Sequence, residues 1–214
     1  MNSIRLIVVA MLAADCVCPA QTANTVIWSP PTVGWWDDMP RPTVAKEMIA
    51  TLSVASAPIV LEQTNLKDAQ ERFGGTFGSS GNAGDALRWL CLYGSDKGGA
   101  WILWLTSGEI DGPAIGGFQW RSLSTNDRPD HRCSRLPKNM GGIKLPIQLH
   151  LGMTEAEVQK LLGPPTVARD KTLFYCHEHR LVIRNEDFTV SNGVAIVLRK
   201  GVVWAIEVAR TTGN

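Results

Sequence analysis

The chain is 214 residues long, and 21 Lys and Arg set against 20 Asp and Glu leave a formal net charge of +1. Without a clustered basic face there is nothing to hold a polyanion, so nucleic acid is excluded as an expected partner. The length suits one large domain or two small ones once a leader is set aside, and the repeat described below favours two.

Met1-Asn-Ser-Ile-Arg5 precedes an apolar run from Leu6 to Ala14, then Asp15 and several small residues. This is the charged, apolar and cleavable order of a secretory signal, and the run is too short to span a bilayer. Residues 1–20 are therefore predicted to be a signal peptide cut after Ala20. Asp15 before Cys16 and Val17 before Cys18 do not suit a lipoprotein site, which would want small apolar residues there. The expectation is a periplasmic or secreted protein without a lipid anchor and without a transmembrane segment after signal removal.

Residues 21–57 begin as an extended arm, because Pro30, Pro31, Pro40 and Pro42 forbid helix around the Trp35-Trp36-Asp37-Asp38 cluster. A short helix is predicted from Thr43 to Ser53, with Thr43 as cap and Val44, Met48 and Leu52 at four-residue spacing.

An internal repeat organises the rest, as residues 58–140 and 141–214. Pro58-Ile59-Val60-Leu61 matches Pro146-Ile147-Gln148-Leu149, and each is followed by a short helix ending at Gly74 or Gly163. Strands come next around Trp89-Leu90-Cys91 and Phe174-Tyr175-Cys176. Ala100 to Thr106 and Gly116 to Arg121 complete the first unit, Val194 to Arg199 and Val202 to Ala209 the second, all β-branched or aromatic in character. The predicted fold class is α+β: two tandem repeats, each a short helical element packed on a three- to four-stranded antiparallel sheet.

Cys91, Cys133 and Cys176 survive processing into an oxidising compartment, so one pair can bridge. Cys91 with Cys133 is the expected disulfide, closing a loop of about 40 residues for roughly 3–4 kcal/mol. Cys176 is then a buried free thiol.

His177 and His179 alternate onto one strand face, close enough for two imidazoles to share a metal, while Cys176 points to the other face. Two ligands are too few, and a solvated strand face is the expected reading. The glycine-rich stretch from Gly74 to Gly81 lacks the Lys-Ser/Thr of a phosphate loop and reads as a helix-to-strand connection. No Gly-x-Ser-x-Gly elbow occurs, so no enzyme activity and no cofactor are expected; the alternative is a metal-dependent or hydrolytic enzyme using His177 and His179.

Eight tryptophans are the notable excess. Trp104, Trp120 and Trp204 read as core. Aligning Gly99 with Gly193 puts Ile102 and Trp104 on a buried face and leaves Trp101, Leu103 and Leu105 on an open one. That apolar patch needs a cover, either a partner or the chain's own arm or second repeat. Trp35 and Trp36 are expected to clamp onto the body or a partner, so these five residues form the predicted partner-binding set.

Leu151-Gly-Met-Thr-Glu-Ala-Glu-Val-Gln-Lys-Leu-Leu-Gly-Pro-Pro165 resembles the helix signature of the small outer-membrane lipoprotein family of the β-barrel assembly machinery. The tandem arrangement looks like the β-lactamase-inhibitor-protein family. Thr154 caps, Glu157 completes a capping box, Val158, Leu161 and Leu162 pack, and Gly163-Pro164 stops the helix. The first repeat departs from the signature, with Gln63-Thr64-Asn65-Leu66 in its place. The resemblance implies a fold that acts by protein contact, hence an exported module binding another protein in the cell envelope as an inhibitor, an immunity protein or an assembly factor.

Overall fold

Four hairpins of this chain turn on two-residue loops, Ala55-Ser56, Asp170-Lys171, Arg184-Asn185 and Lys200-Gly201, in which every residue has positive φ. Such turns match the right-handed twist of the strands they join, and they set the register of a mostly β chain. A computed structural model describes residues 25–31, 49–82, 85–138 and 142–213. The predicted signal peptide, Trp35 and Trp36, and the predicted helix from Thr43 to residue 48 lie outside the described residues.

In chain order the elements are β1 (Thr25–Ile27), β2 (Thr51–Val54), β3 (Ala57–Val60), α1 (Leu66–Phe73), β4 (Phe77–Ser80), β5 (Leu87–Asp96), β6 (Gly99–Gly108) and β7 (Gly117–Ser122). They continue with β8 (Asp127–Pro129), β9 (Ser134–Arg135), β10 (Ile143–Lys144), α2 (Glu155–Leu162), β11 (Val167–Arg169), β12 (Thr172–Ile183), β13 (Glu186–Arg199) and β14 (Val202–Gly213).

One nine-stranded sheet dominates, in the order β11-β12-β13-β14-β7-β6-β5-β4, with β9 added in parallel alongside β5. The pairing of β14 with β7, Ala205 opposite Arg121 through Ala209 opposite Gly117, joins the two halves into one continuous surface. This corrects the expected fold class. Among the described residues strand accounts for 55% and helix for 10%, with two helices, so the molecule is not an α+β pair of helix-on-sheet repeats. Physically, each half has a free edge that the other satisfies, and the long-range ladder replaces two separate sheets.

Two further predicted elements change. Leu52, read as helical, lies in β2, which forms a small sheet between β10 and β3. The β-branched Thr51 and Val54 and the turn at Ala55-Ser56 favour the hairpin over helix. Pro58 to Val60 belongs to β3, whereas Pro146 to Leu149 forms no strand.

Both helix ends follow their sequence signals. Thr154 Oγ1 accepts from Glu157 N at 3.3 Å while Glu157 Oε2 accepts from Thr154 N at 2.7 Å, the reciprocal capping box. Asn65 opens α1 without a side-chain cap bond. Gly74 and Gly163 end the helices at φ 74° and 83°.

The main core fills the inner side of the large sheet. Leu66, Ala69 and Phe73 of α1, Val158 of α2, and Leu52, Val54 and Ile59 of the small sheet pack against Leu103, Leu105, Phe118, Val194, Ile196 and Ile206. At its centre the fully buried Asn192 clamps the chain: Oδ1 accepts from Ile49 N at 3.1 Å, and Nδ2 donates to Ile49 O at 2.9 Å. A buried amide that satisfies both backbone groups of one residue fixes where β2 begins.

Candidate functional site

Trp101, Leu103 and Leu105 are buried on the inner side, at 2%, 0% and 0% exposure, beneath the helices and the small sheet. The expected open patch is therefore the core itself. Aligning Gly99 with Gly193 is one residue out of phase, and such a slip turns every side chain to the wrong face of a strand. Trp101 lies across the backbone of Gly94, where an added Cβ would sit 2.6 Å from the indole Cζ2, so glycine makes room for the ring. Trp89 lies over Gly78 in the same manner on the outer side.

The outer side of the first half is also closed. Ile27, Trp89, Cys91, Ile102, Trp104 and Cys133 form a second cluster there, with Trp28 packed on it. The Cys91–Cys133 disulfide is present as expected, 42 residues apart, and it ties the loop after β8 to β5. Trp104 Nε1 donates to Trp28 O at 2.9 Å, and Arg132 stacks on Trp28 at 4.0 Å from the ring centroid. Arg132 is itself gripped by Asp130, with Nε 2.7 Å and Nη2 3.0 Å from its carboxylate; that contact holds the Asp130 carboxyl far below the usual carboxylate range.

Past the β7–β14 seam the outer side changes character. Arg121 lies between Trp104 and Trp204, 5.6 Å and 4.9 Å from the two ring centroids, and Arg199 covers Trp204 at 3.5 Å. The sequence Trp104, Arg121, Trp204, Arg199 thus forms a cation–π ladder across the seam. Burial lowers the pKa of the Arg121 guanidinium, and Asp127, 3.8 Å away, opposes that effect. Trp204 is half-buried, Arg199 and Lys200 are exposed, and Val202 at 36% exposure adjoins them.

A β-bulge makes this possible. Val197 pairs with Ala205 and Leu198 with Val203, so Trp204 is the extra residue. The bulge brings Trp204 onto the same side as Ala205 and Arg199, where strict alternation would oppose Trp204 and Ala205. Sequence reading assigns Trp204 to the core for this reason: alternation carries no sign of a bulge. Arg199, the one charged residue in the run Val194-Ala-Ile-Val-Leu-Arg199, is the signal in the sequence that points to this face.

His177 and His179 share the inner side, opposite Asn192 and Val190, with ring centroids 5.3 Å apart. His177 is buried at 8% exposure, which corrects the expected solvated face. His179 Nδ1 is buried without a hydrogen-bond partner among the described residues. Cys176 points to the outer side as expected, free and buried, its thiol pKa raised by burial and by Glu178. Among the described residues no group of three or more His, Cys, Asp or Glu is placed to hold a metal.

A cleft of about 730 Å³ beside α2 is lined by Lys144, His150, Met153, Glu157 and Lys160. Glu157, the carboxylate among its described lining residues, is committed to the capping box. No helix among the described residues is long and apolar enough to cross a membrane. No family model matches the chain, and neither does a curated protein or a solved structure.

Proposed function

We propose that this chain is an exported protein-binding module that recognises another protein of the cell envelope through the Arg121–Trp204–Arg199 ladder. The observation carrying this reading is a half-exposed tryptophan held between two guanidinium groups at the end of the β13–β14 hairpin. Trp and Arg are the residue types most enriched at binding hot spots, because a rigid ring offers large contact area and a guanidinium offers planar donors. Preorganisation adds to this, since the bulge and Arg121 fix the ring before any partner arrives. Export is supported by the Cys91–Cys133 disulfide, a bond suited to an oxidising compartment. The signature at Leu151 to Pro165 adds, by resemblance, a class that works through protein contact.

The test is paired capture from a periplasmic and outer-membrane extract on immobilised wild-type protein and on Trp204→Ala. A protein held by the wild type and released by the variant, at unchanged melting temperature, is the expected result; identical captured sets on both would overturn the reading.

A further inference from the structure

Taking the ladder as the recognition surface, we infer that the partner presents an acidic segment to it, setting carboxylates against Arg169, Lys171, Arg199 and Lys200 and an apolar side chain against Trp204. Two turns distant in sequence supply these cations, so the balanced composition gives no sign of them. Leu198 N donates to Lys171 O at 2.8 Å, which brings the turn at Asp170-Lys171 alongside the end of β13, where the turn at Lys200-Gly201 begins. Arg169 pairs with Thr172, Thr172 with Val197 and Val197 with Ala205, while Arg199 follows Val197 by two. Paired residues share a face, as do residues two apart on a strand, so Arg169 and Arg199 both stand on the outer side with Trp204.

The described chain leaves this charge unanswered. Arg169, Lys171, Arg199 and Lys200 are all exposed, and among the described residues none of them makes an ion pair. Arg132, Arg180 and Arg210, by contrast, each face a carboxylate: Asp130, Asp187 and Glu62. The acids near the two turns are engaged or outnumbered. Asp127 lies 3.8 Å from Arg121, and Glu155, whose N–H reaches Gly201 O, accepts from Gln159 Nε2 at 3.1 Å. Asp170 is a single carboxylate set between Arg169 and Lys171. Burial first, and then the charge of Arg199, push the Arg121 pKa down against the pull of Asp127, so like charges crowd Trp204.

Charge complementarity selects the occupant. A cluster of like charges left unanswered by its own chain attracts and orients an oppositely charged partner. Here the cations border partly exposed Thr172, Val197 and Ala205, exposed Val202 and half-buried Trp204. That mixture matches carboxylates interrupted by an apolar residue, and not the uniform row of phosphates on a nucleic acid. Trp204 is the anchor, and the four cations are the rim that steers approach.

Selection of a random-peptide display library on the full exported chain tests this, followed by anisotropy titration of the enriched peptides. The enriched peptides are expected to be rich in Asp and Glu around an apolar residue, to bind more weakly as salt rises, and to lose binding to Trp204→Ala. Arg169→Glu with Lys200→Glu, which leaves the ladder intact, is expected to bind them about tenfold more weakly or worse, because it sets like charges against the peptide. Unchanged melting temperatures guard against a folding defect. Peptides that need Trp204 but hold no excess of acids, or that bind the charge-reversed variant as they bind the wild type, would overturn the acidic partner and leave the ladder reading standing. Peptides indifferent to Trp204→Ala, or no enrichment at all, would overturn both. Phosphatidylglycerol vesicles that bind the wild type and displace the peptides would replace the protein partner by a membrane surface and so also overturn the proposal.

Discussion

The two halves of the large sheet run in mirrored strand order from their shared seam, yet they are finished differently. In the first half both faces are closed, the inner by α1 and the small sheet, the outer by residues 25–31, Trp28 and the disulfide. In the second half the inner face is packed as tightly, with Val194 and Ile196 fully buried, but the outer face carries the half-exposed ladder and, among the described residues, β12 has no strand beyond Phe174 on its outer edge. Core packing sets the fold in both halves; recognition is possible only where one surface is left unfinished.

The largest effect that would break this contrast is loss of the disulfide. Cys133→Ser should lower the unfolding free energy by about 4 kcal/mol, the loop-closure value for a bridge of this span, read from urea denaturation. Hydrogen exchange should rise first in β1, β5 and β8 while β13 and β14 stay protected; uniform loosening would mean that the halves are not separately closed.

Asn192→Leu should cost about 3 kcal/mol, since it leaves the N–H and C=O of Ile49 buried without their partner amide. The loss should appear as faster exchange in β2 and β3, because the clamp fixes where that hairpin starts. A variant as stable as wild type would show that Ile49 is held by packing alone.

A smaller effect sharpens the comparison through pH. The folded pKa of Asp130 is held below its unfolded value of about 3.9 by Arg132, so its stabilisation is full above that value and is lost as pH falls through the folded one. Protonation releases Arg132 from its place over Trp28. Acid titration of tryptophan fluorescence should therefore show an extra transition below pH 4 in the wild type and not in Asp130→Asn; the same profile in both would refute the link.

Much of the local chemistry was legible. The odd cysteine count and the place of Cys91 and Cys133 together in the first unit led to the correct bond and to a buried Cys176, and the Thr154–Glu157 spacing led to the correct cap. What failed was non-local. The β7–β14 ladder depends on pairing residues more than 80 apart, which no local pattern encodes, so one sheet was read as two. The face of β6 was lost to a one-residue slip, and Trp204 to a bulge. Both errors have one cause: a period of two keeps no memory of where counting began.

The central claim, that Trp101 belongs to the scaffold and Trp204 to the recognition surface, is tested most directly by comparing Trp101→Ala with Trp204→Ala in the same two assays, urea unfolding and capture from envelope extract. The account predicts that Trp101→Ala loses about 3–5 kcal/mol of stability by opening a core cavity. Trp204→Ala should lose at most about 1 kcal/mol, the scale of a cation–π contact at a half-open site, and should release the captured protein. A Trp204→Ala protein that unfolds as readily as Trp101→Ala, yet still holds its partner when folded, would contradict it.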